Sequence, residues 1–128
     1  MKENVTLIIA SLLSILFMTL HLTDDIVRGM EPGTIRDLTL VPILAVWLYG
    51  TLVLRERRSG LVIVLLGSLV SLIVPVIHME GLGVGGRVAT SSGAFFFIWT
   101  LIALGVTALF SVILSARGLL EHLLRRTA

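Results

Sequence analysis

Four stretches of the chain carry no charged residue and are almost wholly apolar: Val5–Leu22, Leu38–Leu54, Leu61–Ile77 and Phe95–Ala116. Each is close to the roughly 20 residues that a helix rising 1.5 Å per residue needs to cross about 30 Å of hydrocarbon. Inside a bilayer no water satisfies free backbone N–H and C=O groups, so unbroken apolar runs of this length have to be helices. Transmembrane strands would alternate in polarity, and these runs do not. The expected fold is therefore all-α: a polytopic integral membrane protein, one four-helix bundle occupying the whole of residues 1–128. Pro42 falls in the first turn of the second run, where its missing N–H costs little, and Pro75 near the end of the third, where it kinks or ends a helix.

Composition narrows the function. Hydrophobic residues make up 56% of the chain and charged ones 14%, against roughly 45–50% and 25% in soluble domains. That excludes an intrinsically disordered chain and a soluble globular enzyme. The absence of cysteine removes thiol redox chemistry, thiolate metal sites, cysteine nucleophiles and a disulfide-stapled fold. The net charge of +2 comes from basic residues flanking the spans, so no nucleic-acid partner is expected. The lipid bilayer is the first partner, and so small a bundle is expected to self-associate or to join another membrane protein.

Topology follows from Lys and Arg. One side carries Lys2, Arg55, Arg57, Arg58, Arg117, Arg125 and Arg126, the other Arg28, Arg36 and Arg87. Seven against three places both termini in the cytosol of a bacterial-type inner membrane. The first run is longer than a signal-peptide core and lacks a small-x-small cleavage site after it, so it reads as a retained anchor. Trp47 and Tyr49 are expected in the inner aromatic belt, and Phe95, Phe96, Phe97 and Trp99 in the outer one. Residues 117–128 pair leucines on one face with Glu121, His122, Arg125 and Arg126 on the other, which predicts a separate amphipathic helix along the inner surface.

The connections differ in kind. Arg55–Gly60 is short enough to force an antiparallel hairpin, whereas Thr23–Asp37 and Glu80–Gly93 are long outer loops, where a site would be built. The run Gly81–Arg87 lacks the Lys-Ser/Thr and the strand–helix setting of a phosphate loop and reads as a flexible loop. Ser91 or Ser92 is the expected N-cap of the fourth helix. Small residues at four-residue spacing, namely Thr6, Ala10 and Ser14, Gly67 and Ser71, and Ala103, Thr107, Ser111 and Ser115, mark helix-packing stripes rather than a solute pathway.

One group of residues asks for chemistry. His21, Asp24 and Asp25 share a helix side if the first helix continues past Leu22, and His78 and Glu80 stand at the outer end of the third span. Imidazoles and carboxylates are what a divalent metal uses where cysteine is absent, and three of them plus water make an open, catalytic-type site. Asp24, at i+3, is the expected partner of His21, with Asp25 as the alternative and Glu80 completing the set as ligand or general base. The other reading is a solvated helix end.

In size and helix count the chain resembles the small multidrug resistance transporters. That resemblance is architectural: those proteins carry a glutamate in the middle of the first helix, and here the nearest acids are Asp24 and Asp25 at its end. Four-helix quinone-linked thiol oxidoreductases are excluded by the missing cysteines. Three functions stay open at this level: a non-catalytic accessory or interaction subunit or homo-oligomer, a small-solute transporter or channel, and a membrane-embedded enzyme using the outer His/Asp/Glu cluster and a divalent metal.

Overall fold

The computed structural model describes residues 2–81 and 83–127, with side-chain surroundings for 5–81 and 83–125. Leu82 and Ala128 lie outside the described residues, as do the side chains of Lys2, Glu3, Asn4 and Arg126. All regular elements described are helical: α1 Lys2–Val27, α2 Leu40–Leu52, α3 Arg58–His78 and α4 Ala94–Thr127, with single 3-10 turns at Ile35–Thr39 and Arg87–Thr90. Four segments are long and apolar enough to cross a membrane: Val5–Val27, Ile35–Leu52, Arg58–His78 and Ala94–Arg125. The chain is a multi-pass helical bundle.

Burial follows an alternating three- and four-residue spacing, the rhythm of helices packed nearly in line. On α1 it takes in Leu7, Ser11, Ser14, His21 and Asp25; on α3 Leu61, Val64, Ser68 and Ser71; on α4 Phe97, Leu101, Leu104, Ala108, Ser111 and Ser115. Outward positions carry large apolar side chains such as Leu16, Leu66, Val70 and Phe110, as expected where the surroundings are as apolar as the core. The interior is unusually polar, since small hydroxyls let backbones approach and bond locally. Ser14, Ser71 and Ser115 each donate to the carbonyl four residues back. Trp47, Ser11 and Thr51 close a ring: the indole N–H donates to Ser11 Oγ (3.0 Å), Ser11 bonds Thr51 Oγ1 (2.7 Å), and Thr51 donates to the Trp47 carbonyl (2.9 Å).

Several expectations change. Residues 117–127 form no separate amphipathic helix; they continue α4 without a break as its last turns. Trp47 is buried at 3% exposure and Phe97 at 0%, so neither belongs to an aromatic belt: one is held by a hydrogen bond to α1, the other by packing at the opposite end. Tyr49, Phe95, Phe96 and Trp99 are exposed as a belt requires. The α2–α3 hairpin is tighter than expected, with α3 already begun at Arg58. Gly60 makes this closeness feasible, because a Cβ there would run into the Leu54 carbonyl. Pro75 neither ends nor breaks α3, which runs on to His78.

Candidate functional site

The end of the bundle that carries Asp25 and His78 is built by α1, α3, α4 and the segment between α3 and α4. α1 does continue past Leu22, to Val27, and α3 stops at His78. These two lengths bring His21, Asp25 and His78 together, with one ligand-capable atom from each lying within 4.8 Å of the others. His78 Nε2 is 3.2 Å and His21 Nε2 3.7 Å from the same oxygen, Asp25 Oδ2. The rings stand edge to face at 4.8 Å between centroids, and Phe97 packs against both. His21 is 1%, Asp25 5% exposed, and the His78 side chain 17%.

The remaining hydrogen bonds fix the tautomers. His78 Nδ1 lies 2.9 Å from the Val74 carbonyl, which only accepts, so Nδ1 carries the proton. His21 Nδ1 lies 3.1 Å from Thr100 Oγ1. The Thr100 hydroxyl donates to the Phe97 carbonyl (3.0 Å), so toward His21 it accepts, and Nδ1 again carries the proton. Each ring therefore turns Nε2 toward the same oxygen, Asp25 Oδ2. With both rings neutral, two lone pairs and an anion converge in a nearly dry site and repel unless something positive, a proton or a cation, joins them. Buried His21 Nε2 and Asp25 Oδ1 have no hydrogen-bond partner. Two imidazoles held at Nδ1 by an oxygen and open at Nε2, with one carboxylate, form the donor set of open zinc sites and of the facial iron triad.

Of the five residues singled out in sequence, three meet. Asp24, the expected partner of His21, instead faces Arg28: Arg28 Nε donates to Asp24 Oδ2 at 2.7 Å. The same guanidinium donates to Ser91 Oγ (2.9 Å), the Ser92 carbonyl (3.2 Å) and the Gly93 carbonyl (2.8 Å), and lies over the Phe97 ring. Arg28 thus ties the end of α1 to the start of α4, and Ser91 serves that link rather than capping α4. The acid-before-base i,i+4 spacing of Asp24 and Arg28 is the sequence signal for it. Glu80 is exposed and outside the cluster. Within the glycine run, Gly83 is buried against the His78 carbonyl, where a Cβ would not fit, and the Val84 N–H donates to that carbonyl at 2.8 Å, while Gly81 and Gly85 are exposed. Val84 and Val88 then join Phe97, Leu101, Met30 and Val74 in an apolar cap beside the cluster. Thr100, Phe97 and Val74 are the neighbours that sequence patterning did not reveal.

Fold and site together define a multi-pass helical membrane protein with a buried His–Asp–His cluster at one end of its bundle. No protein-family model, no curated protein and no solved structure matches the chain.

Proposed function

We propose that the protein binds one divalent transition-metal ion, of the zinc type, through His21 Nε2, Asp25 Oδ2 and His78 Nε2, leaving a coordination position for water or a substrate oxygen. The observation that carries this is the pair of imidazoles whose Nδ1–H groups are already committed to Thr100 and Val74, so that both Nε2 lone pairs and Asp25 converge. Tetrahedral ligands at about 2.0–2.1 Å from an ion stand about 3.4 Å apart. The two distances to Asp25 Oδ2, 3.2 and 3.7 Å, straddle that value, and the His21–His78 edge is the one an ion draws in. A proton shared between His78 and Asp25 would relieve one contact and leave His21 Nε2 buried without a partner; a metal engages all three.

Such a three-ligand set is the catalytic rather than the closed structural type, which supports the membrane-embedded enzyme over the accessory subunit and the transporter. Coupled transport usually rests on a charged group at mid-membrane, and among the described residues Asp25, near the end of α1, is the one buried carboxylate. In this reading both termini are cytosolic and the metal faces the outside of an inner membrane, as the division of basic residues supports.

The test is metal analysis of protein purified in mild detergent, followed by zinc competition against a chromogenic chelator. The expected result is one ion per chain, lost in His21→Ala, His78→Ala and Asp25→Asn and retained in Asp24→Asn and Glu80→Gln. A parent that binds none, or equal loss in Asp24→Asn and Asp25→Asn, overturns the proposal.

A further inference from the structure

On the side of the bundle away from α4, a groove of about 520 Å³ runs between α1, α2 and α3, within the roughly 300–1,000 Å³ of small-molecule pockets. It opens because α2 is held to its neighbours chiefly in its C-terminal half, where Trp47, Gly50 and Thr51 are buried. There the Trp47 indole lies against Gly67, where a Cβ would come to 2.5 Å of the ring, and bonds Ser11. Toward the site end the walls are Met18 and Leu22 of α1, Leu40 and Ile43 of α2, and Val70 of α3. All residues lining the groove are apolar, and their one polar side-chain group, the Trp47 N–H, is already bonded. What fits is hydrocarbon.

The position of the groove narrows the occupant further. Met18 and Leu22 each stand three residues before His21 and Asp25, so the groove ends beside the turns of α1 that carry the cluster, close to the end of the apolar segment Val5–Val27. Two neutral imidazoles and one carboxylate leave a bound divalent ion with a net positive charge, the largest local charge in the site. An oxyanion is its complement. A transmembrane helix from another chain is a poorer occupant, because close helix docking needs small residues on the open face. Here Gly67 is already covered by Trp47, and the exposed walls are large side chains such as Ile43, Leu66 and Val70.

We infer that the groove holds the hydrocarbon chain of a membrane lipid whose phosphate headgroup supplies the remaining ligand to the metal. The substrate class of the site is thus an anionic phospholipid rather than a water-soluble phosphate. This rests on the metal reading above.

Trp47 reports on the groove directly. The chain has two tryptophans, so Trp99→Phe leaves Trp47 as the sole indole emitter. The protein, in detergent with and without zinc, is titrated with phosphatidic acid or diacylglycerol carrying brominated chains, which quench a nearby indole, and with inorganic phosphate as competitor; zinc binding is measured separately by chelator competition. Both lipids should quench Trp47 saturably. Zinc should tighten phosphatidic acid by about tenfold, leave diacylglycerol unchanged, and lose its effect in His78→Ala, while inorganic phosphate at the lipid's concentration should displace neither. Zinc bound with no preference for the phosphate-bearing lipid overturns the inference and spares the metal site. Displacement by inorganic phosphate makes the ligand a soluble ion and overturns it too. Absent saturable quenching together with a doubled particle mass assigns the groove to a second copy. Failure to bind zinc removes both readings.

Discussion

Thr100→Val isolates the support behind the cluster without touching a proposed ligand. Thr100 Oγ1 accepts from His21 Nδ1 at 3.1 Å, and valine removes the acceptor while nearly keeping the shape. At 1% exposure, the His21 N–H is then left without a partner, which costs about 1–3 kcal/mol, or the ring moves its proton to Nε2 and blunts the lone pair that faces the metal. Both routes weaken metal binding. Loss of an outer partner to a ligating histidine typically costs about 10–100-fold in affinity, or roughly 1.4–2.8 kcal/mol, in agreement with the cost of the orphaned N–H. Zinc competition against a chromogenic chelator reads this directly. The control is Thr107→Val, the same substitution on the same helix, where the hydroxyl bonds only carbonyls of its own helix, Ala103 and Leu104. Thr107→Val should bind as the parent does. If both variants bind like the parent, or both weaken alike, the tautomer argument is wrong.

Three further outcomes follow from the packing. Gly60→Ala forces a Cβ into the Leu54 carbonyl and should cost about 1–3 kcal/mol, read as a lower Tm in detergent, whereas Gly81→Ala, with open space around its Cβ position but a φ of +68°, should cost only the strain of its backbone, about 1–2 kcal/mol. Ser11→Ala leaves the Trp47 N–H without its acceptor and should destabilise by about 0.6–1.7 kcal/mol, with a shifted Trp47 emission in Trp99→Phe protein. Because Ser59 and Thr90 are both exposed and the chain has no cysteine, an impermeant maleimide on intact cells should label Thr90→Cys and spare Ser59→Cys; the reverse pattern inverts the topology.

The helices were legible in the sequence because hydrocarbon leaves the backbone a single solution, and that demand shows as uncharged length. Which faces turn inward was less legible. In a bilayer apolar side chains are stable on both sides of a helix, so hydropathy does not separate Phe97, at 0% exposure, from Phe95, at 81%. Small hydroxyl residues carried that information instead, but in an alternating three–four spacing rather than every fourth residue. The cluster was visible as residue types at helix ends. The choice between Asp24 and Asp25 was not made correctly by helical spacing alone, because Arg28, four residues after Asp24, claims it and leaves Asp25 to the histidines. The partners from α4, Thr100 and Phe97, depend on how helices distant in sequence pack together, and no local pattern announces that.

The central claim is that His21, Asp25 and His78 ligate one metal ion, and X-ray absorption at the zinc edge of the purified, zinc-loaded protein tests it most directly. The expected spectrum has two imidazole nitrogens at about 2.0–2.1 Å and one or two oxygens at about 2.0–2.2 Å, with one imidazole missing in His21→Ala or His78→Ala wherever metal is retained. A shell of oxygens without imidazole scattering, or a parent spectrum unchanged in both histidine variants, would contradict it.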